Sequence, residues 1–90
     1  MEYADFITFC KTFQEYNAFD FEESEVIKVS KKPTVYTYNA MFRDNSNYKT
    51  NVVITLDARG ITWQIADGWE DADEELSTIY DALCEAKARA

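Results

Sequence analysis

The chain has 90 residues, 47% hydrophobic and 16% aromatic, and its 17 acids against 9 bases give a formal net charge of −8. That length suffices for one core burying roughly two-thirds of the surface an unfolded chain exposes, and the apolar content separates the chain from disordered acidic tails. No apolar run approaches the roughly 20 residues of a membrane helix, the opening Met1-Glu2-Tyr3-Ala4-Asp5 lacks the basic start of a secretion signal, and histidine is absent. A cytoplasmic protein with no membrane partner is expected.

From Tyr3 to about Asn17 the apolar residues Tyr3, Phe6, Ile7, Cys10, Phe13 and Tyr16 fall near the spacing of one helical face, which predicts an amphipathic helix. Asp20 to Glu25 has no such stripe and reads as a linker into a β-branched strand, Val26 to Val29. Lys31-Lys32-Pro33 supplies a turn, because proline cannot donate to a ladder, and Thr34 to Arg43 predicts a long strand. Asp44 to Asn47 are four turn-forming residues, and a third strand runs through Val52 to Leu56. Asp57-Ala58-Arg59-Gly60 has the length and terminal glycine of a tight hairpin. In the fourth strand, Ile61, Trp63 and Ile65 alternate with Thr62, Gln64 and Ala66, the pattern of a sheet with one buried face. The last helix should start near Asp71 or Asp73, a carboxylate capping its first turn, with Ala72, Leu76, Ile79, Tyr80 and Leu83 facing the core. The fold class is therefore α+β: an N-terminal helix, a four-stranded antiparallel meander and a C-terminal helix. Both helices pack on one face of the sheet, and residues 1–90 form one domain.

Several chemistries lack their residues. Without histidine the usual general base, the Ser-His and Cys-His pairs and the commonest transition-metal ligand are missing. Cys10 and Cys84 lie far apart on helical stripes, as buried free thiols would, and not at the paired spacing of structural zinc sites. The carboxylates between Asp67 and Glu75 do not follow the ligand register of the twelve-residue calcium loop, and Gly60 and Gly68 alone do not build a phosphate loop. Neither an enzyme, nor a metal site, nor a cofactor is expected. Direct nucleic-acid binding would have to use Lys28, Lys31, Lys32, Arg43, Lys49 and Arg59 with Tyr36, Tyr38 and Tyr48, against the overall negative charge.

The charge is segregated along the chain. Residues 1–25 hold seven acids and one base, residues 26–59 two acids and six bases, and residues 60–90 eight acids against Lys87 and Arg89. The first acidic block is Asp20, Glu22, Glu23 and Glu25; the second is Asp67, Glu70, Asp71, Asp73, Glu74 and Glu75 around Trp69, continued by Asp81 and Glu85. On a helix Asp71, Glu74, Glu75, Asp81 and Glu85 would form a ridge opposite the core stripe. One such ridge is sparser than a DNA backbone, with its charge every roughly 1.7 Å of axis, so the first block or a second protomer in a homodimer would have to add to it. A solvated helix face explains part of this, since first-turn acids gain about 0.3–1 kcal/mol each from the helix dipole. It leaves Asp81 unexplained, and Glu85 could pair with Arg89 one turn on. Trp69 is either an exposed aromatic anchor or a cap on the core.

In size, helix-sheet-helix order, absence of histidine and the acidic blocks Asp20–Glu25 and Asp67–Glu75, the chain resembles small acidic inhibitors made by phages, the DNA-mimic anti-restriction proteins of the Arn type and several anti-CRISPR proteins. The resemblance lies in the plan of the chain and aligns no fixed motif. It implies a stoichiometric inhibitor, often dimeric, that occupies the DNA-binding cleft of a defence nuclease or restriction complex. Its partner would be a basic DNA-binding protein, met by the two acidic blocks and Trp69. The competing expectations are an immunity-type protein that neutralises one toxin, and an interaction module whose acids only keep it in solution.

Overall fold

A computed structural model describes residues 1–89. The element order is α1 (Tyr3–Tyr16), a 3₁₀ turn (Glu23–Glu25), β1 (Ile27–Lys31), β2 (Thr34–Arg43), β3 (Lys49–Asp57), β4 (Gly60–Ile65) and α2 (Glu70–Arg89). The strands form one antiparallel sheet in the order β1-β2-β3-β4. The meander, the two helices and the α+β class are therefore present.

Alternation along the central strands sets the two faces of the sheet. Tyr38, Ala40 and Phe42 of β2, with Val52, Ile54 and Leu56 of β3, are buried against Phe6, Phe9, Cys10 and Phe13 of α1 and Ala72, Leu76 and Ile79 of α2. Phe9 joins the layers: its ring stacks on Trp63 at 5.6 Å and meets Tyr80 edge-on at 6.3 Å. The two helices are antiparallel, because Lys87 near the end of α2 bonds Asp5 at the start of α1, while Glu75 meets Asn17 at the other end.

Several sequence expectations need correction. Phe9 is fully buried, whereas Tyr16 is 70% exposed: the buried face is Phe6, Phe9, Cys10 and Phe13, and Tyr16 lies outside it. Cys84 is only half-buried, unlike Cys10. β1 starts one residue later, at Ile27, and runs on to Lys31, and β3 starts earlier, at Lys49, because Thr50 continues the inward alternation and pairs with Phe42. α2 begins at Glu70, and Asp73 bonds a tryptophan rather than a backbone amide. The segment after α1 is more than a linker, since Phe21 inserts against Tyr38 at 5.0 Å between ring centres and a 3₁₀ turn follows.

Buried amides solve a problem that the unequal strands create. Pairing between β1 and the longer β2 ends at Ile27–Thr37, so the rest of that β2 edge lacks a strand neighbour. Gln14 replaces it: its Nε2 donates to the Met41 carbonyl at 2.8 Å, and its Oε1 accepts the Met41 N–H at 3.1 Å. Asn17 continues the edge by accepting the Arg43 N–H at 2.9 Å. The edge is thereby covered by helix side chains, one of the ways proteins block strand addition.

Candidate binding face

The fold turns segregation along the chain into segregation between layers. α1 lies over the sheet, with α2 on its β4 side, where Asp73 bonds Trp63, and the acidic 20–25 segment on its β1 side, where Tyr3 Oη donates to Glu23 Oε2 at 3.2 Å. Both acidic blocks thus flank α1. Lys28, Lys31, Lys32, Arg43, Lys49 and Arg59 all belong to the strands and their hairpins.

The acids divide into those already engaged and those open to a partner. Asp67 accepts the Tyr48 hydroxyl, Asp73 accepts Trp63 Nε1 at 2.9 Å, and Glu75 accepts Asn17 Nδ2 at 2.6 Å. Glu75 does not stand on an outward ridge: burial pushes its carboxyl above the ordinary value, against the opposing effect of the Asn17 hydrogen bond. Glu85 pairs with Arg89. Glu70, Asp71, Glu74 and Asp81 are exposed, and their carboxylates have no hydrogen-bond or ion-pair partner among the described residues. In the first block Asp20, Glu22, Glu23 and Glu25 are likewise exposed. Burial, with Glu25 and Glu22 nearby, raises the Tyr38 hydroxyl to about 12.

Trp69 packs within the fold. It is half-buried against the core, and its ring stacks on Tyr48 at 4.8 Å and 21°. The aromatic that projects from the helix layer is Tyr16, which sequence periodicity assigns to the core. Beside it lies a cavity of about 610 Å³ floored by Phe42 and Ile79 and walled by Asp71, Glu74 and Glu75. Arg43 also lines it, with its guanidinium 4.5 Å from the Phe19 ring and its Nε buried without a hydrogen-bond partner among the described residues. Apolar floor, carboxylate wall and aromatic rim together suit a cationic side chain.

Among the described residues no group of three or more cysteines and carboxylates is arranged to hold a metal ion, and no helix is long and apolar enough to cross a membrane. Desolvation raises the pKa of the buried Cys10 thiol. Comparison of the chain with protein-family models, with curated proteins and with solved structures gives no match.

Proposed function

We propose that this is a non-enzymatic binding protein whose helix layer docks on the electropositive, nucleic-acid-binding surface of another protein and occupies it in place of DNA. The observation that carries the reading is the partition of charge between layers. α1, α2 and the 20–25 segment hold thirteen of the seventeen carboxylates and only Lys11, Lys87 and Arg89 among the bases, while the other six bases lie in the sheet and its hairpins. Such a charge dipole steers the helix layer toward a basic groove and turns the sheet away from it.

The spacing favours an electrostatic decoy over a phosphate-by-phosphate copy. Glu70, Glu74, Asp81 and Glu85 rise along α2 by about 6, 10.5 and 6 Å in turn, at 1.5 Å per residue, against roughly 3.4 Å between phosphates on one DNA strand. The Asp20–Glu25 block on the far side of α1 widens the negative surface without filling those gaps. A basic target in a defence nuclease or restriction complex, as for the phage inhibitors the chain resembles, fits this reading.

The test is a variant with Asp71, Glu74, Asp81 and Glu85 all changed to their amides, which leaves Asp67, Asp73 and Glu75 in their internal hydrogen bonds. Used as bait beside the wild type, it should fail to retain the nucleic-acid-binding protein that the wild type releases at moderate salt. Equal retention by both baits would refute the decoy. A second reading, an immunity-type protein specific for one toxin, is favoured by Tyr16 standing exposed beside the cavity; its mark would be loss of binding on Tyr16→Ala with charge changes tolerated.

A further inference from the structure

The cavity beside Tyr16 does not end there. A narrower channel of about 270 Å³ runs on between α1 and α2, with Thr8, Thr12, Ala82 and Ala86 along its sides and Phe9 and Leu83 beneath. The two share Tyr16, Thr78 and Ile79 and so form one trough. Along α2 it extends from Asp71 to Ala86, about 22 Å at 1.5 Å per residue.

Helix geometry decides what borders the trough. At 3.6 residues per turn, Glu74, Asp81 and Glu85 fall directly beside Thr78 and Ala82 on the α2 bank, and Glu15 and Lys11 fall beside Thr8 and Thr12 on the α1 bank. The trough is therefore apolar along its floor and predominantly acidic along its rims. A second copy of this chain, whose own helices are acidic, would meet like charge there, as would nucleic acid or an anionic bilayer.

We propose that this trough receives a cationic amphipathic helix of about four turns from the partner, with its apolar stripe on the channel floor and its flanking Arg or Lys side chains on the carboxylate banks. One basic residue would enter the cavity beside Tyr16, where an aromatic face and the carboxylates of Asp71 and Glu74 converge. The proposal rests on the helix layer being the binding face, and adds that a specific helix seat lies within it.

The probe is a fluorescein-labelled, 17-residue synthetic peptide of leucine, lysine and arginine with leucines at helical spacing. A permuted peptide of identical composition without an apolar face is the control, and anisotropy is read on the full chain. The amphipathic peptide should bind at least about tenfold more tightly than the permuted one, a difference of about 1.4 kcal/mol. The double variant Ala82→Gln, Ala86→Gln puts uncharged, helix-compatible side chains at two exposed positions of the channel. It should remove that preference while leaving affinity for the permuted peptide and the circular dichroism spectrum unchanged. Tyr16→Ala should reduce the preference several-fold. Equal binding of the two peptides, or an undiminished preference in the double Gln variant, would overturn the helix seat. The variant neutralised at Asp71, Glu74, Asp81 and Glu85 separates this from the wider reading: if it still weakens both peptides, the charged face stands without the seat, and if it weakens neither, both fail.

Discussion

Replacing Gln14 by Leu removes both hydrogen bonds that close the open edge of β2 while keeping a side chain of similar volume. Gln14 is 3% exposed, and its amide satisfies the N–H and C=O of Met41. A buried polar group left without a partner costs about 1–3 kcal/mol. Met41 is half-buried, so water can reach its backbone in part, and the low end applies to each group. The two Met41 groups and the buried Tyr38 hydroxyl, which donates to Gln14 Oε1 at 3.4 Å, together give about 2–4 kcal/mol, from which burial of the leucine recovers about 1 kcal/mol, for a net loss of about 1–3 kcal/mol. At roughly 4–8 °C per kcal/mol for a domain of this size, Tm should fall by roughly 5–20 °C. Urea unfolding followed by tryptophan fluorescence measures the change, with an unchanged m-value showing that the native compactness is kept. Gln14→Glu is a sharper control: it keeps an acceptor for the Met41 N–H but offers the Met41 carbonyl no donor while ionised, so it should be the worse substitution at neutral pH and recover on acidification. A Gln14→Leu protein as stable as the wild type would refute the edge-closing role.

Phe9→Ala removes a fully buried ring that touches both Trp63 and Tyr80, and should cost about 3–5 kcal/mol by the same urea assay. Trp69→Ala should cost about 1–3 kcal/mol, below the range for a fully buried ring because Trp69 is only half-buried; an unchanged unfolding midpoint would restore Trp69 as a free anchor. Glu75 has its folded pKa raised above the ordinary 4.5, mainly by burial. Its contribution to stability is then fully present below that ordinary value and is lost as pH rises through the displaced one, so Glu75→Gln, which keeps an acceptor for Asn17, should flatten the stability–pH curve just above pH 4.5. A parallel curve for the two proteins would contradict the assigned cause.

Strands were readable where one physical signal dominated. Between Thr34 and Ile65 the β-branched and aromatic residues alternate with polar ones, and the turn residues between them leave few ways to connect antiparallel neighbours. Helical periodicity identified both helices but not the rotation of α1, since Phe6, Phe9, Cys10 and Phe13 make as regular a stripe as one drawn through Ile7 and Tyr16. Which is buried depends on the position of α2, a tertiary fact. Gln14 and Asn17 read as ordinary polar helix residues because the strand edge they serve lies more than twenty residues away in the chain. The acidic face was visible as composition. Its division into engaged and open carboxylates was not, because Tyr48, Trp63 and Asn17 reach Asp67, Asp73 and Glu75 only in the folded chain. The trough beside Tyr16 likewise exists only once two helices lie side by side.

The central claim is that the helix layer takes the place of DNA on its partner, and the most direct measurement is competition. With the retained partner on immobilised wild-type protein, duplex DNA is titrated across a range of salt concentrations. DNA should displace the partner, with each binding event excluding the other, and raising the salt should weaken both together. A ternary complex of protein, partner and DNA at low salt would contradict the claim and place the acidic face outside the DNA-binding surface.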